Sequence, residues 1–239
     1  DKIISDFEEA ESLVRTYGAK VYAVATQNST RSDHSTYIGS GKAAEVAQKI
    51  KDEKIDIVVI TAAIKPGQIL TLKKIFEGLN PNIIVWDRLA LILQIFTKHA
   101  ATSEAKLQIR LAHMRHMGPR IYGMGFEMSQ QGGGIGTQGP GETNTVLMQR
   151  HWKRELKQVR EHLSKLTQSR QLQMNRRKRT HGKTVSLVGY TNSGKTSVFN
   201  LITKKENLVE DALFATLDSS VGTFTLPKNK SQVYCLMKL

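Results

Sequence analysis

An α/β fold in three parts follows from three observations on the chain. Short apolar runs rich in β-branched residues alternate with amphipathic stretches of about ten residues as far as Trp86. Two long apolar seams at helical spacing then flank a glycine-rich segment. Beyond them an apolar run from Thr184 leads through G-x-x-x-x-G-K-T into another helical pattern. The expectation is a small parallel βαβ domain over 1–87, a long antiparallel helical hairpin with a glycine-rich loop over 88–180, and a partial P-loop NTPase domain over 181–239.

In the first part, Ile4, Phe7 and Val14 mark a helix stripe, Lys20 to Thr26 a strand, Ala43 to Ile50 a helix and Ile55 to Thr61 a near-continuous apolar strand. Gln68 to Phe76 reads as a helix ended by Gly78 and Pro81, and Ile83 to Trp86 as a short buried strand. Strands apolar on both faces and separated by helices imply right-handed crossovers and a parallel sheet. Gly39-Ser40-Gly41-Lys42, just ahead of a helix, reads either as a phosphate site or as a turn in which Ser40 caps the helix, the turn being the commoner use.

From Leu89 to Met117 the pattern predicts one long helix with a seam at Leu89, Leu93, Phe96, Ala100, Leu107, Leu111 and Met114. Trp152, Leu156, Val159, Leu163 and Leu166 recur at spacings of four and three, the seam of a two-helix coiled coil. Each seam needs a partner, so the two helices are expected to pair, with Met114, Met117 and Trp152 in the core. Between them, Gly123 to Glu142 holds eight of the chain's 18 glycines and is expected to be a loop. It either connects the helices or lets backbone approach a large ligand, and Gly132, Gly133 and Gly134 are the candidates for that approach.

The net charge of +14 is local. Residues 150–183 hold twelve Lys or Arg against Glu155 and Glu161, ending in the knot Arg176-Arg177-Lys178-Arg179, where a domain linker is expected. A solvated face usually mixes signs, so this stretch points to a polyanion. No aromatics interleave with the charges, which favours backbone contact with structured RNA over single-strand stacking. The lone Cys235 forms no internal disulfide, and no apolar run approaches the roughly 18 residues that cross a bilayer. A cytoplasmic monomer with no membrane partner is expected. The chain opens on Asp1 in an acidic amphipathic segment, so its natural N-terminus is expected to lie further upstream.

The third part carries the most specific chemistry. Gly189 and Gly194 let backbone wrap a polyphosphate, Lys195 supplies a point charge, and the Thr196 hydroxyl is placed to ligate Mg²⁺. A helix continues to Thr203. Glu206 to Ser220 is expected to be irregular, and Thr223 to Leu226 and Gln232 to Leu236 form a hairpin around P-K-N-K. Thr216 is placed either as a switch threonine sensing Mg²⁺ and the terminal phosphate or as ordinary loop.

Together these residues resemble the HflX family of ribosome-associated GTPases. The resemblance rests on T-Y-I-G-S-G-K-A-A-E-V, K-P-G-Q, W-D-R-L-A-L-I-L-Q-I-F, G-G-G-I-G-T-Q-G-P-G-E-T, V-G-Y-T-N-S-G-K-T-S-V-F-N and L-F-A-T-L-D, in the family's order. It implies a GTPase using GTP or GDP with Mg²⁺, and a basic N-terminal region on the large ribosomal subunit and its RNA. Asn192, Ser193, Gly194, Lys195, Thr196 and Ser197 would line the phosphates, Thr216 would belong to the first switch, and Asn192 matches an asparagine that helps hold K⁺ in related GTPases. Gln131 and Gln138 depart from the family's arginines, Thr145 to His151 from its acidic and arginine pattern, and Ser219-Ser220-Val221 from its proline and threonines. Asp-x-x-Gly and Asn-Lys-x-Asp motifs are not found. Asn229-Lys230-Ser231-Gln232 imitates the latter without its aspartate and reads as a turn, so the chain is expected to be a truncated, gapped or degenerate version. No catalytic base is identified. The alternative to an enzyme is a module that binds ribosomal RNA and holds nucleotide without turnover.

Overall fold

The computed structural model describes residues 2–27, 32–131, 140–179, 183–189, 193–205, 220–225 and 232–237. They form two compact units, Asp1–Leu93 with Ala112–Glu155, and Gln94–Leu111 with Leu156–Leu239.

The first unit is built on two parallel strands, β1 (Ile57–Ile60) and β2 (Ile84–Asp87), paired from Ile57↔Ile84 to Ile60↔Asp87. Helices α2 (Ser40–Asp52) and α3 (Pro66–Glu77) cover one face. There Ala43, Ile50, Leu72, Phe76, Ile83 and Val85 are buried in one cluster, with Val58 and Ile60 packed against it. Strand alternation sends Val59 and Trp86 to the other face, where Tyr17 of α1 (Lys2–Tyr17) meets the Trp86 ring edge-on at 5.2 Å. Gly18, at φ 91°, ends α1 in the left-handed conformation that glycine adopts without strain.

The K-P-G-Q stretch has a structural account. Pro66 occupies the first turn of α3, where its missing N–H costs nothing, and buried Gln68 accepts from the Lys65 N–H at 2.9 Å. The Gln68 amide also donates to the Asp33 carbonyl at 2.9 Å, tying α3 to the turn closed by the Asp33–Tyr37 bridge. In that turn the Ser35 hydroxyl, with further Ser35 and Thr36 donors, holds the Asp33 carboxyl well below the usual carboxylate range. Ser40, expected as a cap, is instead the first residue of α2. Gly39 is the N-cap, and no side chain caps the helix.

Two expectations on elements are corrected here. Lys20 to Thr26 forms no strand: residues 19–27 carry no ladder, and Tyr22 and Val24 are exposed. Alternation specifies extended backbone but not a hydrogen-bonding partner. The single helix expected from Leu89 is two, α4 (Arg88–His99) and α5 (Ser103–Gln131). Thr102 divides them because its hydroxyl accepts from the Ala105 N–H at 3.2 Å, an N-cap that starts a new helix.

Leu89 is exposed, outside the seam, whereas Leu93, Ala105, Ile109 and Met114 are buried. α5 also runs through Gly123 and Gly125 to Gln131, inside the expected loop. Each glycine costs a helix about 1 kcal/mol, which the intervening Met, Glu and Gln residues offset in part. Gly132, Gly133 and Gly134 lie outside the described residues, as does the Met117 side chain.

The second long helix, α6 (Pro140–Arg179), opens with proline in its first turn. Its seam holds: Val159 is buried, and Trp152, Leu156, Leu163 and Leu166 are half-buried among exposed neighbours. Glu104 of α5 meets Arg170 of α6 at 2.8 Å, and Gly118 faces Trp152, the contact order of an antiparallel pair. The basic knot, expected in a linker, is instead the last turn of α6.

In the second unit, β3 (Lys183–Leu187), β4 (Ser220–Thr225) and β5 (Gln232–Met237) form a sheet in the order β3-β5-β4. β3 and β5 are parallel, and β4 and β5 form the antiparallel pair expected around P-K-N-K. Residues 226–231, including Asn229, Lys230 and Ser231, lie outside the described residues. Of Glu206 to Ser220, expected to be irregular, residues 206–219 lie outside them too, and Ser220 instead opens β4.

Candidate nucleotide-binding site

The site begins where β3 ends, at the carboxyl edge of its parallel pair with β5, the edge at which open α/β sheets bind ligands. From Leu187 the backbone passes Val188 and Gly189 and, after Ser193 and Gly194, enters α7 (Lys195–Thr203). Gly194 is the N-cap of α7 at φ 77°, a conformation that side chains disfavour. A Cβ on Gly189 would lie 2.9 Å from the Ser193 hydroxyl and 3.7 Å from the Lys195 stem. Gly194 therefore serves the turn through its backbone angle, while a side chain at Gly189 would press on the Ser193 hydroxyl.

Lys195 and Thr196 are 9% and 8% exposed, while Ser193 and Ser197 reach the surface. Burying a lysine within a helix's first turn is costly unless an anion or hydrogen-bond acceptors compensate. The first α-helical bond of α7 runs from the Val198 N–H to the Gly194 carbonyl at 3.1 Å. The N–H groups of Lys195, Thr196 and Ser197 precede it and so project from the helix start, the arrangement that binds phosphate.

What holds this turn in place is the fully buried Phe199, packed with Cys235, Leu187 and Phe224. Burying a phenylalanine stabilises by roughly 1.5–3 kcal/mol, enough to seat a short helix on a small sheet. On the same side, Gly222 of β4 admits α7 so closely that a Cβ there would lie 2.4 Å from Thr203 Cγ2 and 3.0 Å from Phe199 Cζ. Gly222 supports the site and was not among the sequence candidates. A glycine inside a strand pattern marks close approach, but the strand expected from the sequence begins at Thr223, one residue beyond it, and only the structure extends β4 back to Ser220. Burial pushes the Cys235 thiol pKa up, so Cys235 is a packing residue.

Of the phosphate-site residues expected from the sequence, the structure brings together Gly189, Ser193, Gly194, Lys195, Thr196 and Ser197. Asn192 and Thr216 lie outside the described residues. In the basic region Arg176 is exposed on α6, and Arg177, Lys178 and Arg179 follow it in the helix, with side chains outside the described set. No described helix is long and apolar enough to cross a membrane.

Three family models match in succession: "GTP-binding GTPase N-terminal" at residues 5–97, "GTP-binding GTPase Middle Region" at 99–177, and "50S ribosome-binding GTPase" at 184–236. Among curated proteins, the GTPase HflX of Caldanaerobacter subterraneus is 37% identical over 94% of this chain and 51% of its own length. That of Alkalihalophilus pseudofirmus is 38% identical over 93% and 52%, and that of Escherichia coli 37% over 92% and 51%. The chain thus spans about half the length of these relatives. A GTP-binding protein of Sulfolobus solfataricus, solved in complex with GDP, aligns over 97% of this chain and 57% of its own, with TM-score 0.51 and 24% identity. A structure described as a complex of SsGBP and GDP aligns over 96% and 57%, with TM-score 0.55 and the same identity. These two show the likeness of fold. With three family models of GTP-binding GTPases matching in succession and the curated matches covering nearly the whole sequence, the chain belongs to the HflX family.

Proposed function

We propose that the chain binds guanine nucleotide at the Gly189–Ser197 loop, hydrolyses GTP, and associates with the large ribosomal subunit through α6. The observation that carries the nucleotide reading is Lys195, buried at the start of α7 with its stem against Gly189. A lysine held there presents its charge to the β- and γ-phosphates, while the amides of the first turn of α7 hold their oxygens. Phosphoryl transfer needs little covalent chemistry from the protein; positioning and neutralisation of the phosphate charge accelerate it. Mg²⁺ would be held by the Thr196 hydroxyl with Thr216, and K⁺ near Asn192; the bound metal supplies further charge neutralisation at the phosphates. Guanine over adenine rests on the family's relatives.

The test is equilibrium dialysis with labelled GTP and ATP on the wild type and Lys195→Ala. Wild-type binding that favours GTP, and a loss of at least about tenfold in the variant with the fold retained, are expected. Unchanged affinity in Lys195→Ala would overturn the phosphate site. Equal affinity for ATP would overturn the guanine assignment.

A second reading has its own observation. The exposed basic residues of α6, among them Lys153, Arg154, Lys157, Arg160 and Arg176, suit a phosphate backbone whether or not nucleotide turns over. On this reading the chain is an RNA-binding module. Ribosome binding that persists in Lys195→Ala without GTP hydrolysis by the wild type would favour it.

A further inference from the structure

β4 is an edge strand whose own residues do not guard it. Among the described residues it has one ladder, with β5, and the register runs unbroken by a bulge from Ser220↔Met237 to Thr225↔Gln232. Its sequence, Ser-Val-Gly-Thr-Phe-Thr, holds no charge and no proline, and its Val, Thr and Phe favour extended backbone. An edge of this kind is a template for pairing with another chain unless a charge, a proline or a bulge prevents it.

A charge does reach this edge, but from outside the strand. Lys205, just past the Lys204 residue that ends α7 at φ 54°, donates from Nζ to the Val221 carbonyl at 2.6 Å in an exposed position. The preceding Thr203 lies against Gly222, so Lys205 starts close to β4 and its stem reaches round to the edge. In an antiparallel ladder the N–H and C=O of one residue both face the neighbouring strand or both face away, and successive residues alternate. The carbonyl that Lys205 takes from the solvent side is one turned away from β5. The outward set is therefore Val221, Thr223 and Thr225, and both threonines are exposed.

We propose that Lys205 guards this edge, keeping β4 from pairing with the β4 of a second copy of the chain. A second copy is the occupant that the strand fits, because an antiparallel pair of identical strands is self-complementary about a two-fold axis. Centred on Thr223, such a pair sets Thr223 against Thr223 of the second copy, a favourable cross-strand pair, and Val221 against Thr225 on either side. The three opposed pairs would exchange roughly six ladder bonds. In that register the Val221 carbonyl has to accept the Thr225 N–H of the second copy, at the place that Lys205 Nζ holds. Symmetry repeats the block at the other end, so one lysine disables both outer pairs. Displacing it would leave an ammonium group beside a strand that has no carboxylate to receive it.

Sedimentation equilibrium on the full chain over a range of concentrations tests this. Lys205→Met keeps most of the stem and loses the donor, and should self-associate at least about tenfold more tightly than the wild type. Lys205→Arg can still donate to the same carbonyl and should behave as the wild type does. Adding Thr223→Pro to Lys205→Met removes the central outward N–H while sparing the ladder with β5, and should return the protein to the wild-type state of association. Thr225→Lys in the same background charges the edge directly and should do the same, which keeps the test decisive where proline unfolds the sheet. A Lys205→Met variant that associates no more tightly than the wild type would overturn the proposal. So would association of Lys205→Met that persists in an edge variant whose circular dichroism matches the wild type, because the contact would then lie away from β4.

Discussion

His116 Nε2 of α5 lies 3.0 Å from Asp87 Oδ1, the same oxygen that accepts the Ala90 N–H at 2.8 Å. One nearly buried carboxylate thus ends β2, caps α4 and ties α5 to both. The W-D-R stretch of the sequence has its structural reason here. The neighbouring Arg88 reaches back to pair with Glu9 of α1.

Asp87→Ala should destabilise the first unit by about 2–4 kcal/mol, adding a lost cap to an unsatisfied buried partner. Asp87→Asn keeps an acceptor oxygen for Ala90 and should lose less than half as much. Urea denaturation of the three proteins decides this. A loss under about 0.5 kcal/mol in Asp87→Ala would show the pair to be incidental.

The neighbouring His113 gives a pH dependence. Its burial holds its pKa below the ordinary histidine value and the charge of His116 lowers it further, while the hydrogen bond to the Leu93 backbone opposes them. The folded state then binds fewer protons at this site than the unfolded state. Its contribution is complete above the ordinary histidine pKa and is lost as pH falls through that value toward the lowered one. The urea midpoint should therefore drop between about pH 7.5 and 5.5, and His113→Gln should flatten that drop. An identical pH profile in wild type and variant would remove His113 as its cause.

Gly222→Ala should destabilise the second unit by about 1–3 kcal/mol, because its Cβ would overlap Thr203. Thr203→Ser removes the methyl group at 2.4 Å and should restore part of the loss. Thermal denaturation of the single and double variants measures the coupling. Additive effects would mean that α7 shifts away from β4 rather than resisting the added carbon.

The last turn of α6 should carry much of the RNA affinity. Replacing Arg176, Arg177, Lys178 and Arg179 together by glutamine should leave the melting temperature nearly unchanged, since single charges at the end of a helix contribute little to folding. Binding to the large ribosomal subunit should weaken and its salt dependence flatten, by somewhat under one unit of log–log slope for each lost phosphate contact. Unchanged affinity and slope would move the contact elsewhere on the chain.

Local chemistry alone determined the phosphate loop, the seam of α6 and the β4–β5 hairpin. Each depends on residues close in sequence: a glycine whose angle the helix start demands, apolar side chains one or two helical turns apart, and strands that follow each other closely along the chain. The break at Thr102 was legible in principle as an N-cap, but a continuous apolar seam masked it. Tertiary structure alone decided that Leu89 faces water, that α5 continues through Gly123 and Gly125, and that the basic knot is helical. Those outcomes depend on which distant surface a side chain meets, and periodicity carries no information about that surface. Gly222 and Thr203 share this origin, being 19 residues apart in sequence and in contact only because Phe199 seats α7 on the sheet.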